Sequence, residues 1–66
     1  MAITIKAARV NIGLTQEELA EKMGVSRSTV LDWENGKRLM RPAYLRLFCY
    51  LTKLNEDDII MPNINT

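Results

Sequence analysis

Apolar residues recur every three or four positions along most of this chain, and no run alternates apolar with polar for long enough to argue for a strand. The first such run predicts a helix from about Thr4 to Asn11, with Ile5, Ala8 and Ile12 spaced to face inward and Gly13 as a stop just past its end. Next comes "TQEE", in which Thr15 as N-cap and Glu18 three residues on have the spacing of a capping box. The helix it opens runs to about Met23, buries Leu19, Ala20 and Met23, and sets its acidic first turn against the positive end of the helix dipole. Gly24 breaks that helix and Ser26 caps a third, in which Val30 and Trp33 point inward together. At about 100° per residue, Arg27, Ser28, Leu31, Asp32 and Asn35 project from its other side. Pro42 suits the first turn of a fourth helix, with Leu45, Phe48, Cys49 and Leu51 as its inward stripe and an end near Thr52. Asn55 and Asp58 are spaced to cap a short fifth helix carrying Ile59 and Ile60, and the tail "PNINT" is expected to fray. The pattern predicts an all-α domain of five short helices.

Composition narrows the chemistry. Sixty-six residues are enough for one domain, 1–66, and the 47% hydrophobic content with 3 Gly and 2 Pro marks it as ordered. Cys49 is alone and cannot close an intramolecular disulfide, so no oxidising compartment is demanded. With no His, the chain has neither the usual general base near neutral pH nor a Cys/His cluster for zinc. There is no phosphate-cradling Gly loop, and together these features propose no enzyme, no metal and no cofactor. No apolar run approaches the roughly 18 residues of a membrane span, and "MAITIKAARV" lacks the apolar stretch of a secretory signal. A cytoplasmic location is therefore expected.

The formal net charge of +1 would not by itself suggest a nucleic-acid partner, but the distribution does. Between Arg27 and Arg46 lie five basic residues, Arg27, Lys37, Arg38, Arg41 and Arg46, against Asp32 and Glu34. The acids gather at Glu17, Glu18 and Glu21 and again at Glu56, Asp57 and Asp58. A nearly neutral protein with this arrangement presents a positive face that steers an anionic partner.

The second and third helices meet at a short turn containing Gly24, which sets them at a steep angle with Ala20 facing the turn. One helix is left protruding with a polar face, and an α-helix about 10–12 Å across fits the major groove of B-DNA. "LTQEELAEKMGVSRSTVLDWENGKR" closely resembles the helix-turn-helix, at about residues 16–35, of phage repressor and Cro-type DNA-binding domains, the XRE family. The resemblance spans about Ile5 to Met61. Its most specific part is the ordered set Gln16, Leu19, Ala20, Gly24, Val25, Ser26, Val30, Trp33, Glu34, Asn35 and Gly36.

The resemblance implies roles at the matching positions. Gln16 is similar to the glutamine that hydrogen-bonds a backbone phosphate beside the groove, and Asn35 to a second phosphate clamp helped by Lys37, Arg38 and Arg41, with Ser26 also on the phosphate side. Arg27, Ser28 and Asp32 occupy base-reading positions, joined by Leu31, while Arg9 and Glu34 resemble an ion pair tying the first helix to the third. Elementary chemistry agrees for Arg27, whose planar fork suits guanine O6 and N7 and gives about 1–3 kcal/mol of discrimination. Asp32 is repelled by phosphates; it suits cytosine N4, or it pairs with Arg27 or Arg38 and holds that side chain in place. Leu31 departs from the commoner small or polar residue and suits either a thymine methyl or a protein surface.

The function this implies is a sequence-specific regulator of transcription on double-stranded DNA, expected to repress. It would bind a pseudo-palindromic operator as a homodimer through the C-terminal helices, around Leu54, Ile59, Ile60 and Met61. The alternative is an antitoxin-like or adaptor module that keeps the fold but grips another protein. Leu31, Asp32 and the low net charge favour that alternative, and the pair Gln16 and Asn35 favours DNA.

Overall fold

The structure, a computed structural model, describes residues 2–62. Its elements run β1 (Ile3–Thr4), α1 (Ile5–Asn11), α2 (Gln16–Met23), α3 (Arg27–Asn35), α4 (Pro42–Thr52), a one-turn 3₁₀ helix (Glu56–Asp58) and β2 (Ile59–Ile60). The helices begin where side-chain oxygens can accept orphan amide protons. The Ala7 N–H donates to Thr4 Oγ1 at 3.1 Å, and the Thr29 N–H to Ser26 Oγ at 3.2 Å. At α2 both halves of the capping box form: the Glu18 N–H donates to Thr15 Oγ1 at 3.1 Å, and the Thr15 N–H to Glu18 Oε1 at 2.9 Å. The Thr15 N–H, followed by the Thr15 hydroxyl, holds the Glu18 carboxyl below its ordinary pKa.

The core is built from one face of each helix. Ile5, Ala8, Leu19, Ala20, Met23, Val30, Trp33 and Phe48 are buried, joined by Met40 from the loop between α3 and α4 and by Ile59. Ile12 is only half-buried, because it lies at the C-cap where α1 has already ended. On α4 only Phe48 and Thr52 are fully buried; Leu45, Cys49 and Leu51 pack against the core from its margin. The Thr52 hydroxyl is satisfied within its own helix, donating to the Phe48 carbonyl at 2.8 Å. Burial, followed by the nearby charges of Glu56 and Asp58, raises the Cys49 pKa and keeps it a thiol.

The expected fifth helix does not form. Residues 56–58 make a single 3₁₀ turn, closed by the Asp58 N–H donating to the Asn55 carbonyl at 3.0 Å, and the Asn55 side chain makes no capping bond. The chain then extends, and Ile59 and Ile60 pair in parallel with Ile3 and Thr4 as a two-stranded ladder. β-Branched Ile59 and Ile60 favour this extended backbone over a helical turn. Pairing satisfies backbone groups that a one-turn helix would leave to water.

This arrangement also corrects the expected dimer surface. Ile59 belongs to the core, and Leu54 and Met61 pack against it, leaving Ile60 as the one exposed large side chain of that set. The tail beyond Pro62, expected to fray, lies outside the described residues. Among the described residues no helix is long and apolar enough to cross a membrane.

Candidate nucleic-acid interface

α3 is among the most firmly held elements of this packing, with one face still open to solvent. Val30 and Trp33 are 0% and 1% exposed, so the helix cannot roll about its own axis without opening the core. The turn before it depends on Gly24, whose φ of +69° lies in the left-handed region. There the Gly24 N–H reaches the Ala20 and Glu21 carbonyls, and the Val25 N–H donates to Ala20 at 3.0 Å, which closes the C-terminus of α2. Space is not what selects glycine here, because a Cβ at Gly24 would meet nothing within 4 Å; the backbone angle is.

At the other end, Gly36 is buried with φ +74°. The amides of Gly36, Lys37 and Arg38 all converge on the Asp32 carbonyl, the last two at 2.9 and 3.3 Å. This turns the chain sharply after Asn35 and sends Lys37, Arg38 and Arg41 out beside the helix.

A second fixing point joins three helices. Arg9 is buried, and its Nε meets Glu34 Oε2 at 2.6 Å with side-chain exposures of 9% and 3%. Arg9 Nη1 donates to the Leu14 carbonyl at 2.7 Å, satisfying the loop between α1 and α2. Glu34 Oε1 in turn accepts from the Gln16 side-chain amide at 3.1 Å. The carboxylate therefore ties α1, the start of α2 and the end of α3 together, and none of its neighbours is left as an unpaired buried charge. Sequence reasoning anticipated an Arg9–Glu34 pair but missed the Gln16 hydrogen bond, since nothing in the spacing of Gln16 shows where its amide points. One of its two amide protons remains for an outside acceptor.

The remaining residues singled out in the sequence fall in two groups. Arg27, Ser28 and Asn35 are exposed on the face of α3 opposite Val30 and Trp33, with Leu31 and Asp32 half-buried among them. The Ser28 hydroxyl lies 3.0 Å from that of Ser26, and Ser26 is also 3.0 Å from Thr29 Oγ1, so the Ser26 hydroxyl is shared between its cap and two neighbours. Asp32 faces Arg38, with Nε–Oδ2 at 3.8 Å, rather than Arg27. At side-chain exposures of 60% and 34% that pair contributes little to stability, and its consequence is positional. Arg27, Lys37 and Arg41 make no ion pair with another described residue.

The arrangement is thus a short helix held from beneath, polar outward, with guanidinium and ammonium groups beyond its C-terminus and the Gln16 amide beside Glu34 near that end. A helix-turn-helix family profile matches residues 5–49, most of the chain, and the protein belongs to the XRE-type helix-turn-helix family. Two relatives, both described as uncharacterized HTH-type transcriptional regulators, come from Methanothermobacter thermautotrophicus and Archaeoglobus fulgidus. Each is 49% identical over 37 residues, which cover 56% of this chain and 54% and 53% of the relatives. The chain therefore matches about half the length of each.

Proposed function

We propose that this protein binds duplex DNA through α3 in the major groove and regulates transcription, acting as a repressor by occupying its operator. The observation that carries this reading is the pinned helix itself. Val30, Trp33 and the Arg9–Glu34–Gln16 network hold it from one side, while Arg27, Ser28, Leu31 and Asp32 face outward where base edges would lie. Arg27 reads a guanine, Asn35 and the second proton of Gln16 bind backbone phosphates beside the groove, and Lys37, Arg38 and Arg41 neutralise further phosphates. Ser26 contributes on the phosphate side only as far as its cap leaves it free. The described relatives, regulators by name, support the same reading.

A two-fold dimer would place two such helices about 34–36 Å apart on a pseudo-palindromic operator. With Ile59 withdrawn into the core, an apolar surface remaining for it is the outer side of α4 around Tyr50, which is 79% exposed, with Ile60 beyond it also exposed. The adaptor reading keeps one supporting observation: Leu31 is apolar on an otherwise polar face.

Selection of sites from a random duplex pool, followed by affinity against salt, tests the proposal. Recovery of a short inverted repeat, with log affinity falling linearly against log salt, is the expected result. No enrichment would refute sequence-specific reading and direct attention to a protein partner at Leu31.

A further inference from the structure

Beside the start of α3 lies a cleft of about 190 Å³ that none of the base-reading residues Arg27, Ser28, Leu31 and Asp32 lines. Its lining is mixed, with Val25, Trp33, Leu39 and Tyr44 supplying the apolar part. Leu39 is 57% exposed and Tyr44 36%, although the Tyr44 ring also packs against Trp33 with centroids 5.4 Å apart. Polar groups supply about as much of the lining. They are the Thr29 hydroxyl with its Ser26 neighbour, and the guanidiniums of Arg38 and Arg41. Arg38 is held loosely by Asp32 at 3.8 Å, and Arg41 has no ion-pair partner among the described residues.

A slot that combines aromatic and aliphatic surface with two guanidiniums is chemically selective. A bare inorganic anion would meet the arginines but leave the aromatic surface uncovered. A ring bearing one carboxylate or phosphate satisfies both. The volume sets the size: a cavity of about 150 Å³ accommodates benzene, and drug-sized ligands need about 300–1,000 Å³. The slot therefore suits a single ring with one anionic substituent.

We propose that this cleft binds a small cyclic organic anion, and that its occupancy competes with DNA. The second half rests on the DNA-binding reading above, because Arg38 and Arg41 are among the cations assigned there to phosphates. A ligand that neutralises them withdraws part of the electrostatic grip, which couples effector and operator within one small domain.

The test begins on the free protein, with phenyl phosphate as the probe and inorganic phosphate and benzyl alcohol as controls, followed by ¹H–¹⁵N NMR. Saturable shifts confined to Thr29, Leu39, Tyr44 and the Trp33 indole, in the millimolar range and with phenyl phosphate alone, are expected. Both Tyr44→Ala and Leu39→Ala should weaken these shifts, the latter as a surface change that leaves the core intact. Shifts spread over every exposed cation and reproduced by inorganic phosphate would overturn the proposal, as would their absence or their persistence in both variants.

The second stage measures operator affinity at matched ionic strength. At about ten times its dissociation constant the probe should weaken DNA binding about tenfold in the wild type. The same concentration should have little effect in Tyr44→Ala, which keeps its DNA affinity. A wild-type affinity that does not respond would overturn the competition. The two readings fail separately. Cleft-localised shifts in a protein that selects no operator would sink the DNA reading and leave the ligand site standing, and a recovered operator with no cleft shifts would do the reverse.

Discussion

Replacing Arg9 with Met puts the central buried charge of this domain to the test. The substitution keeps most of the apolar stem and removes the guanidinium, leaving Glu34 at 3% side-chain exposure with the Gln16 amide alone and the Leu14 carbonyl without its side-chain donor. Breaking a buried pair from one side costs about 3–5 kcal/mol. At about 0.05–0.15 kcal/mol per residue, a chain of 66 residues holds roughly 3–10 kcal/mol in all. The single variant should therefore lose much or all of its stability, with a fall in Tm of at least about 12 °C at about 4–8 °C per kcal/mol.

Arg9→Met/Glu34→Met should recover half or more of that loss, because a well-packed apolar pair replaces a buried ion pair at little net cost. Urea unfolding followed by circular dichroism provides the assay, with the m-value checking that each variant unfolds from a comparable folded state. A loss below about 1 kcal/mol for Arg9→Met would show that water reaches Glu34 and that the pair is not buried in any energetic sense. A double variant less stable than the single one would refute the reasoning outright, since the cost would then come from shape and not from an unpaired charge.

Other expectations are as direct. Gly24→Ala should destabilise by about 1–2 kcal/mol through its positive φ alone, with Gly24→Asn milder, and an unchanged Tm would refute the turn argument. Thr15→Ala should cost about 1 kcal/mol in urea unfolding through the lost N-cap. Because the folded-state pKa of Glu18 is lowered, its contribution is fully present above the ordinary carboxylate pKa and is lost as pH falls through the folded value. Acid titration of stability in Glu18→Gln should show that part of the decline missing. Arg27→Ala should relax preference at one base pair per half-site, whereas Asn35→Ala should weaken binding to all duplexes alike. Site selection and salt-dependent affinity on both variants separate these outcomes, and uniform loss from both would erase the distinction between reading and clamping.

What the sequence determined by itself was local. Caps at Thr15 and Ser26, stops at Gly13 and Gly24, Pro42 at the first turn of α4, and the spacing of Leu19, Ala20, Met23, Val30 and Trp33 are written within a few residues of the structure they produce. The outward set on α3 follows from the same arithmetic, because a helix with two inward anchors has only one way to turn its other residues. Tertiary structure decided whatever depends on a partner distant in sequence. Ile59 and Ile60 form a strand because Ile3 and Thr4 lie beside them, at the opposite end of the chain. Met40 is core and Leu39 surface, though they are adjacent and both apolar, because the loop after Gly36 crosses the body with one side down. Gln16 donates to Glu34 because α1, α2 and α3 meet at that carboxylate. The cleft under Arg38 and Arg41 likewise exists only once the start of α3 and the start of α4 are brought together. Periodicity carries which face of an element is buried; it carries nothing about what that face will meet.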